Sequence, residues 1–400
     1  MMKGPLTYSL IFSLTAGALL ISGCRPALTS SPNNTTDIDA FVNESSVPSD
    51  VELQALLDET LQWTLDHREL TVKGHAAWQI LHGALAYQRD FLVVTEAGQN
   101  VSAVDYLIND GYMRGWTMQP GVWLDEAQTR RGLKAILEPG SKAGQGHADQ
   151  WFAVLAQSHL APEQIVKVHG RDFTMADYVA QIQYDIPFNG QQEYSWTLIG
   201  LTTYLPTDAT WQAGDGKQWS IERLVEIEAN HELAASACGG THRLIGMSMA
   251  LNRHLAAGHE LTGSWKTADE IISQAILNAR KYQNDDGSFS TNYVERTGRS
   301  ADLATNLGAT GHVLEFLTLA MTDDELEQPW VKRSVTHLCS LFQKTKKLPL
   351  ECGALYHAAH GLAVYRSRVY GEHRYVHESI QQSDSTGVDD SEQLPELPSE

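Results

Sequence analysis

The chain has 400 residues, with 29 Lys and Arg against 49 Asp and Glu, a net charge of −20. So acidic a balance excludes a phosphate-backbone binder, whose surface must be basic, and no nucleic-acid partner is expected. Four cysteines without a C-x-x-C pair exclude a treble-clef or ribbon zinc module, and no glycine-rich phosphate loop of either common spacing occurs.

In chain order, Met1-Met2-Lys3 and the apolar run Leu6–Ile21 read as a secretory signal peptide over residues 1–23, too short for a comfortable membrane span. The run ends in Leu20-Ile21-Ser22-Gly23-Cys24, which resembles the bacterial lipobox. That resemblance implies cleavage and lipidation at Cys24, a membrane as partner through the lipid, and a place in the cell envelope. Arg25 after the cysteine favours the outer membrane where a cell has one. Residues 24–49 read as a flexible tether and 374–400 as an acidic disordered tail, leaving 50–373 for the fold.

Within 50–373, mostly apolar segments alternate with amphipathic ones. Amphipathic helices are predicted over 51–68, 163–184, 220–236, 267–283 and 327–345, with another near 125–136. The apolar segments share an opening, a small residue followed by histidine: Gly74-His75, Gly146-His147, Cys238-Gly239-Gly240-Thr241-His242, Gly311-His312 and Cys352-Gly353-Ala354-Leu355-Tyr356-His357. A sixth carries tryptophan at that place, Tyr194-Ser195-Trp196. A helix apolar on most faces is surrounded by protein, whereas one with a single apolar stripe lies outside. Six inner and six outer helices predict an all-α fold, an (α/α)6 toroid with loop insertions at 91–140 and 285–306. The inner helices would then run the same way and gather their histidines at one mouth.

The pattern resembles the α/α-toroid superfamily of protein prenyltransferase β subunits and squalene-type cyclases. Gln283-Asn284-Asp285-Asp286-Gly287-Ser288-Phe289 is similar to the Q-x-x-D-G-S-W motif of those folds, and Tyr356-His357-Ala358-Ala359-His360-Gly361-Leu362 to the prenyltransferase helix that carries the zinc histidine. The cyclase D-x-D-D motif is missing, and Thr322 with Glu325 reads as a capping box rather than as part of an ionising acid motif. The chain also resembles a family of bacterial lipoproteins sometimes labelled ADP-ribosylation-factor-directed GTPase-activating proteins. That activity needs a four-cysteine zinc finger, which this chain lacks.

Three functional readings stand beside one another. In the first, Cys238, His242, Cys352 and His357 bind zinc, with His147, His242 and His357 as the catalytic set; a Cys238–Cys352 disulfide and two separate buried thiols are the competing readings of the cysteines. In the second, the mouth is a carbohydrate site of lyase or hydrolase type, with Trp151, Trp196 and Tyr356 as contacts and Asp149, Glu193 and Glu351 as candidate carboxylates. In the third, it is a non-catalytic scaffold binding a small molecule, glycan, lipid or peptide. His75 and His312 complete the predicted binding residues.

Overall fold

A computed structural model describes residues 48–190 and 193–378. The expected signal peptide, the lipidated Cys24, nearly all of the tether and the acidic tail beyond 378 lie outside the described residues. Among those described, no helix is long and apolar enough to cross a membrane.

The expectation of an all-α fold is overturned. Among the described residues 55% are helical and 12% strand in four small sheets, a mixed architecture, and the predicted toroid is not established. α1 (Asp50–His67) starts on a capping box between Ser49 and Glu52. β1 (Leu70–Thr71) precedes α2 (Ala77–Tyr87) and pairs in parallel with β2 (Leu92–Val94), which pairs antiparallel with β3 (Asn100–Ser102) ahead of α3 (Ala103–Ile108). β4 (Trp116–Trp123) and β5 (Arg131–Leu137) form a bulged hairpin where a helix was predicted near 125–136. α4 (Gln150–Gln157) follows. Then come β6 (Ile165–Val168), β7 (Arg171–Thr174) and α5 (Met175–Asp185), so the predicted helix over 163–184 is a hairpin leading into a helix. α6 (Ser195–Tyr204), β8 (Thr210–Gln212), β9 (Gln218–Ser220) and α7 (Ile221–Ala229) repeat that order. The remainder is helical: α8 (Thr241–Ala256), α9 (Gly263–Lys281), α10 (Leu303–Ala320), α11 (Asp323–Leu326), α12 (Pro329–Thr345) and α13 (Cys352–Tyr370).

Three of the hairpins, β2–β3, β6–β7 and β8–β9, have a common local cause. Each of the three turns at a glycine with positive φ, Gly98, Gly170 or Gly216. The second strand of each ends on a hydroxyl that caps the next helix: Ser102 accepts from the Asp105 N–H, Thr174 from Asp177 and Ser220 from Arg223. Strand end and helix start are thus one residue.

The apolar helices pack in sequence, α2 on α4, α4 on α6, α6 on α8, α8 on α10, α10 on α13 and α13 back on α2. Their contact surfaces carry one contiguous core, from Leu53 to Tyr375. The Gln283–Phe289 motif ties the loop after α9 to its neighbours. Gln283 donates to the carbonyls of Gly287 and Trp330, and Thr310 accepts from the Phe289 N–H. Thr322 and Glu325 form the expected capping box of α11.

Candidate metal centre

Glycine and left-handed backbone set the site. After α7, Cys238, Gly239 and Gly240 take φ of 50°, 62° and 77°, so the chain turns left-handed immediately before α8. A cysteine rarely adopts that backbone, which costs about 1–2 kcal/mol. The turn places Cys238 beside the first turn of α8, which carries His242.

Five imidazoles then meet. The rings of His147 and His242 are 4.9 Å apart, His242 and His312 5.5 Å, His242 and His357 5.3 Å, His312 and His357 4.2 Å, and His82 and His357 5.1 Å. Trp196 packs its ring 5.3 Å from His242 and 6.3 Å from His357.

The second nitrogens follow one rule. His82 Nδ1 lies 2.5 Å from the Trp78 carbonyl and His312 Nδ1 2.7 Å from the Gly308 carbonyl, each one helical turn back. His147 Nδ1 lies 3.0 Å from Glu193, and His357 Nδ1 2.7 Å from Glu315. With Nδ1–H donated to a carbonyl or carboxylate, a neutral ring keeps the Nε2 lone pair, the arrangement that orients imidazoles toward metal ions; in His82 that nitrogen accepts from the Gln150 amide at 3.4 Å. His242 is the exception. It is buried, and neither of its ring nitrogens has a partner.

Two donor groups share His242. Cys238, His242 and His312 offer ligand atoms within 4.8 Å of one another, and so do His147, Glu193 and His242. Zinc–donor bonds of roughly 2.0–2.3 Å place tetrahedral donors about 3.3–3.8 Å apart, so closing either group on an ion takes an inward shift of at most about 1.5 Å.

Electrostatics follow burial. Burial holds His242 well below the ordinary histidine range, and the neighbouring His147, His357 and His312 push the same way. Burial alone would raise Glu315, but His357 and His360, both donating to it, hold its carboxyl well below the usual range. His312 is the opposite case: burial depresses it, yet the Cys238 sulfur, Glu315 and the Gly308 carbonyl raise it to about 9. Asp149, at φ 61° ahead of α4, is raised by burial to about 6 although Thr197 donates to it at 2.5 Å.

Neither a protein-family model, nor a curated protein, nor a solved structure matches this chain.

The structure brings together His147, His242, His312, His357, Trp196 and Cys238. It separates three predicted residues from them. His75 closes a turn, its Nδ1 accepting from the Thr71 N–H at 3.0 Å, because α2 starts only at Ala77 and presents His82 instead. Tyr356 is buried among Tyr87 and Phe91 and donates to the Arg68 carbonyl. Cys352 starts α13 beside Gln79, 3.9 Å from its amide, and belongs to neither donor group. Burial pushes its thiol up to about 11. Cys238, Cys339 and Cys352 are all free thiols here, and of the expected set of Cys238, His242, Cys352 and His357 only Cys238 and His242 fall in one donor group, whose third member is His312.

Among the remaining predicted residues, Trp151 stacks on Trp116 at 4.4 Å beside His147 rather than among the imidazoles. Glu351 caps α13 by accepting from the Gly353 and Ala354 N–H groups. His312 sits about two and a half turns and His357 about one and a half turns inside their helices, not at the N-termini, because α10 starts at Leu303 and α13 at Cys352. His82, Glu315 and His360 were missed. The pairs His312-x-x-Glu315 and His357-x-x-His360 carried the signal, since residues three apart share a helix face.

Proposed function

We propose that the histidine cluster is a transition-metal centre, zinc by its donor set, and that the protein is a metal-dependent enzyme adding water to a polar substrate. Cys238, His242 and His312 would hold the ion, leaving a fourth position open, as catalytic zinc sites do. The observation that carries this is His242. A buried polar group without a partner costs about 1–3 kcal/mol, and His242 has two such nitrogens with the rings of His147, His312 and His357 packed around it. An ion there would supply Lewis acidity toward water or a substrate carbonyl. His147, held by Glu193 and lining the adjoining cleft, would be the base that takes the proton from the attacking water. Glu315 fixes His357 and screens the rear of the cluster.

Cobalt substitution tests this. The reading expects a sulfur-to-cobalt charge-transfer band, lost in Cys238→Ala and kept in Cys352→Ala; a cobalt-loaded spectrum without that band overturns it.

One contact favours a second reading, in which Cys238 beside His312 is a thiol nucleophile with its base. Metal-free protein that iodoacetamide alkylates at Cys238 faster than at free cysteine, with no cobalt band in the loaded form, selects it.

We further propose that the enzyme works at the cell envelope, lipid-anchored through Cys24, on the strength of the Leu20–Cys24 sequence. Labelled palmitate should enter the wild-type chain and not Cys24→Ala.

A further inference from the structure

A single ion satisfies only half of His242. The residue is 4% exposed, and neither of its ring nitrogens has a partner. The two nitrogens point their lone pairs in diverging directions, so an ion held with Cys238 and His312 takes one of them. The other stays buried and unpaired, which is as unfavourable for a ring N–H as for a lone pair. We infer that His242 bridges two metal ions through its two ring nitrogens, the second ion being held by His147 and Glu193. The inference rests on the proposed Cys238–His242–His312 centre and adds a site to it.

The second donor group has the geometry for this. His147, Glu193 and His242 offer one atom each within 4.8 Å of one another, as close as the Cys238 group. His147 Nδ1 and a Glu193 oxygen lie 3.0 Å apart, near the separation of two donors on one ion. The two groups also reach His242 from different flanks. Helix α8 packs between α6 and α10. His147 and Glu193 precede α4 and α6, whereas His312 belongs to α10. His242 is the one residue common to both groups. The ion would lie among the donors, where a nitrogen closed to water is the ordinary condition of a ligand. Its way in is the cleft that His147 lines, since the side chains of His147 and Glu193 keep 22% and 16% exposure.

Chemistry sets the class and the strength. Two imidazoles and a carboxylate suit a divalent ion of the zinc or copper type, without the thiolate that strengthens the first site. Isolated protein therefore keeps the first ion, and the second adds when metal is in excess. Loading is balanced by protons alone. The His242 ring proton leaves to water, and the proton between His147 and Glu193 moves to the other His147 nitrogen. As a ligand, His147 no longer serves as the base, so the second ion works as a brake on the proposed reaction.

Electron paramagnetic resonance on the full chain tests this, with zinc in the first site and cupric ion added. About one further equivalent of copper should bind and show nitrogen hyperfine structure. Glu193→Gln and His147→Gln should each weaken it by more than about tenfold with zinc content unchanged, since losing a ligand costs at least as much as losing an outer-shell partner. With cobalt in place of zinc, the cupric signal should broaden or disappear through coupling across the shared imidazole. A copper site indifferent to both substitutions, or a cupric signal as sharp beside cobalt as beside zinc, overturns the bridge. Zinc-loaded protein that takes up no copper also overturns it and leaves the proposed centre standing, whereas protein that holds neither metal removes both.

Discussion

Cys238 is held at φ 50° and ψ 38°, a backbone that suits glycine, and it is followed by two glycines in the same region. Stability is given up there to bring a sulfur beside His242 and His312. In Cys238→Gly the backbone strain of about 1–2 kcal/mol goes, against about 0.5–1 kcal/mol of extra chain entropy lost by glycine. The metal-free variant should therefore unfold at the same denaturant midpoint as the metal-free wild type or slightly above it, while zinc affinity collapses. A lower midpoint would mean that the thiol is a packing group. Asp149 is a second such residue. Its folded-state value of about 6 lies above the ordinary 3.8, so the native state holds the proton more tightly than the unfolded chain. Its contribution is full below about pH 4 and fades as pH rises to about 6, an effect of about 3 kcal/mol. The difference in unfolding free energy between wild type and Asp149→Asn, followed by denaturant titration from pH 4 to 7, should change in that window and be flat above it.

Between elements, the closest approach that matters is α10 against α13. A Cβ on Gly311 would meet Ala358 at 2.6 Å, and one on Gly361 would meet the Glu315 backbone nitrogen at 2.9 Å. These contacts let Glu315 reach both His357 and His360. Gly311→Ala must push the helices apart, which should cost about 1–3 kcal/mol in chemical denaturation and lower zinc affinity through His312 next to it. Unchanged stability would show that the interface is slack. At this scale the sequence was informative about helices and poor about hairpins. The apolar segments around His147, Trp196, His242, His312 and His357 are helices, because a run apolar on most faces has few other ways to bury itself. Ile165-Val166-Lys167-Val168 followed by His169-Gly170 is a strand and turn whose alternation and glycine were legible. They were hidden by the longer helical period of α5 running on from Thr174. Arg131–Leu137 pairs with β4 across the chain, a contact that no local periodicity encodes.

Across the molecule, the hairpins sit in the first part of the chain and plain helices make up the rest, so the composition is mixed although the apolar helices pack in one closed succession. The cluster forms where these helices meet. Its members come from positions as far apart as His82 and His357, so the sequence repeat could indicate that histidines would converge but not which donors would touch. Cys352 and His357 looked like the partners of Cys238 and His242 because both pairs carry cysteine just ahead of histidine. The left-handed turn at Cys238 and the helical start at Cys352 send the two sulfurs to different neighbours. The most direct test is metal content by elemental mass spectrometry, with a free-thiol count, on tag-free protein. The proposed centre requires about one zinc per chain, lost in Cys238→Ala and in His242→Ala and retained in Cys352→Ala. Metal-free protein from zinc-replete growth, or zinc retained in Cys238→Ala and lost in Cys352→Ala, would contradict it.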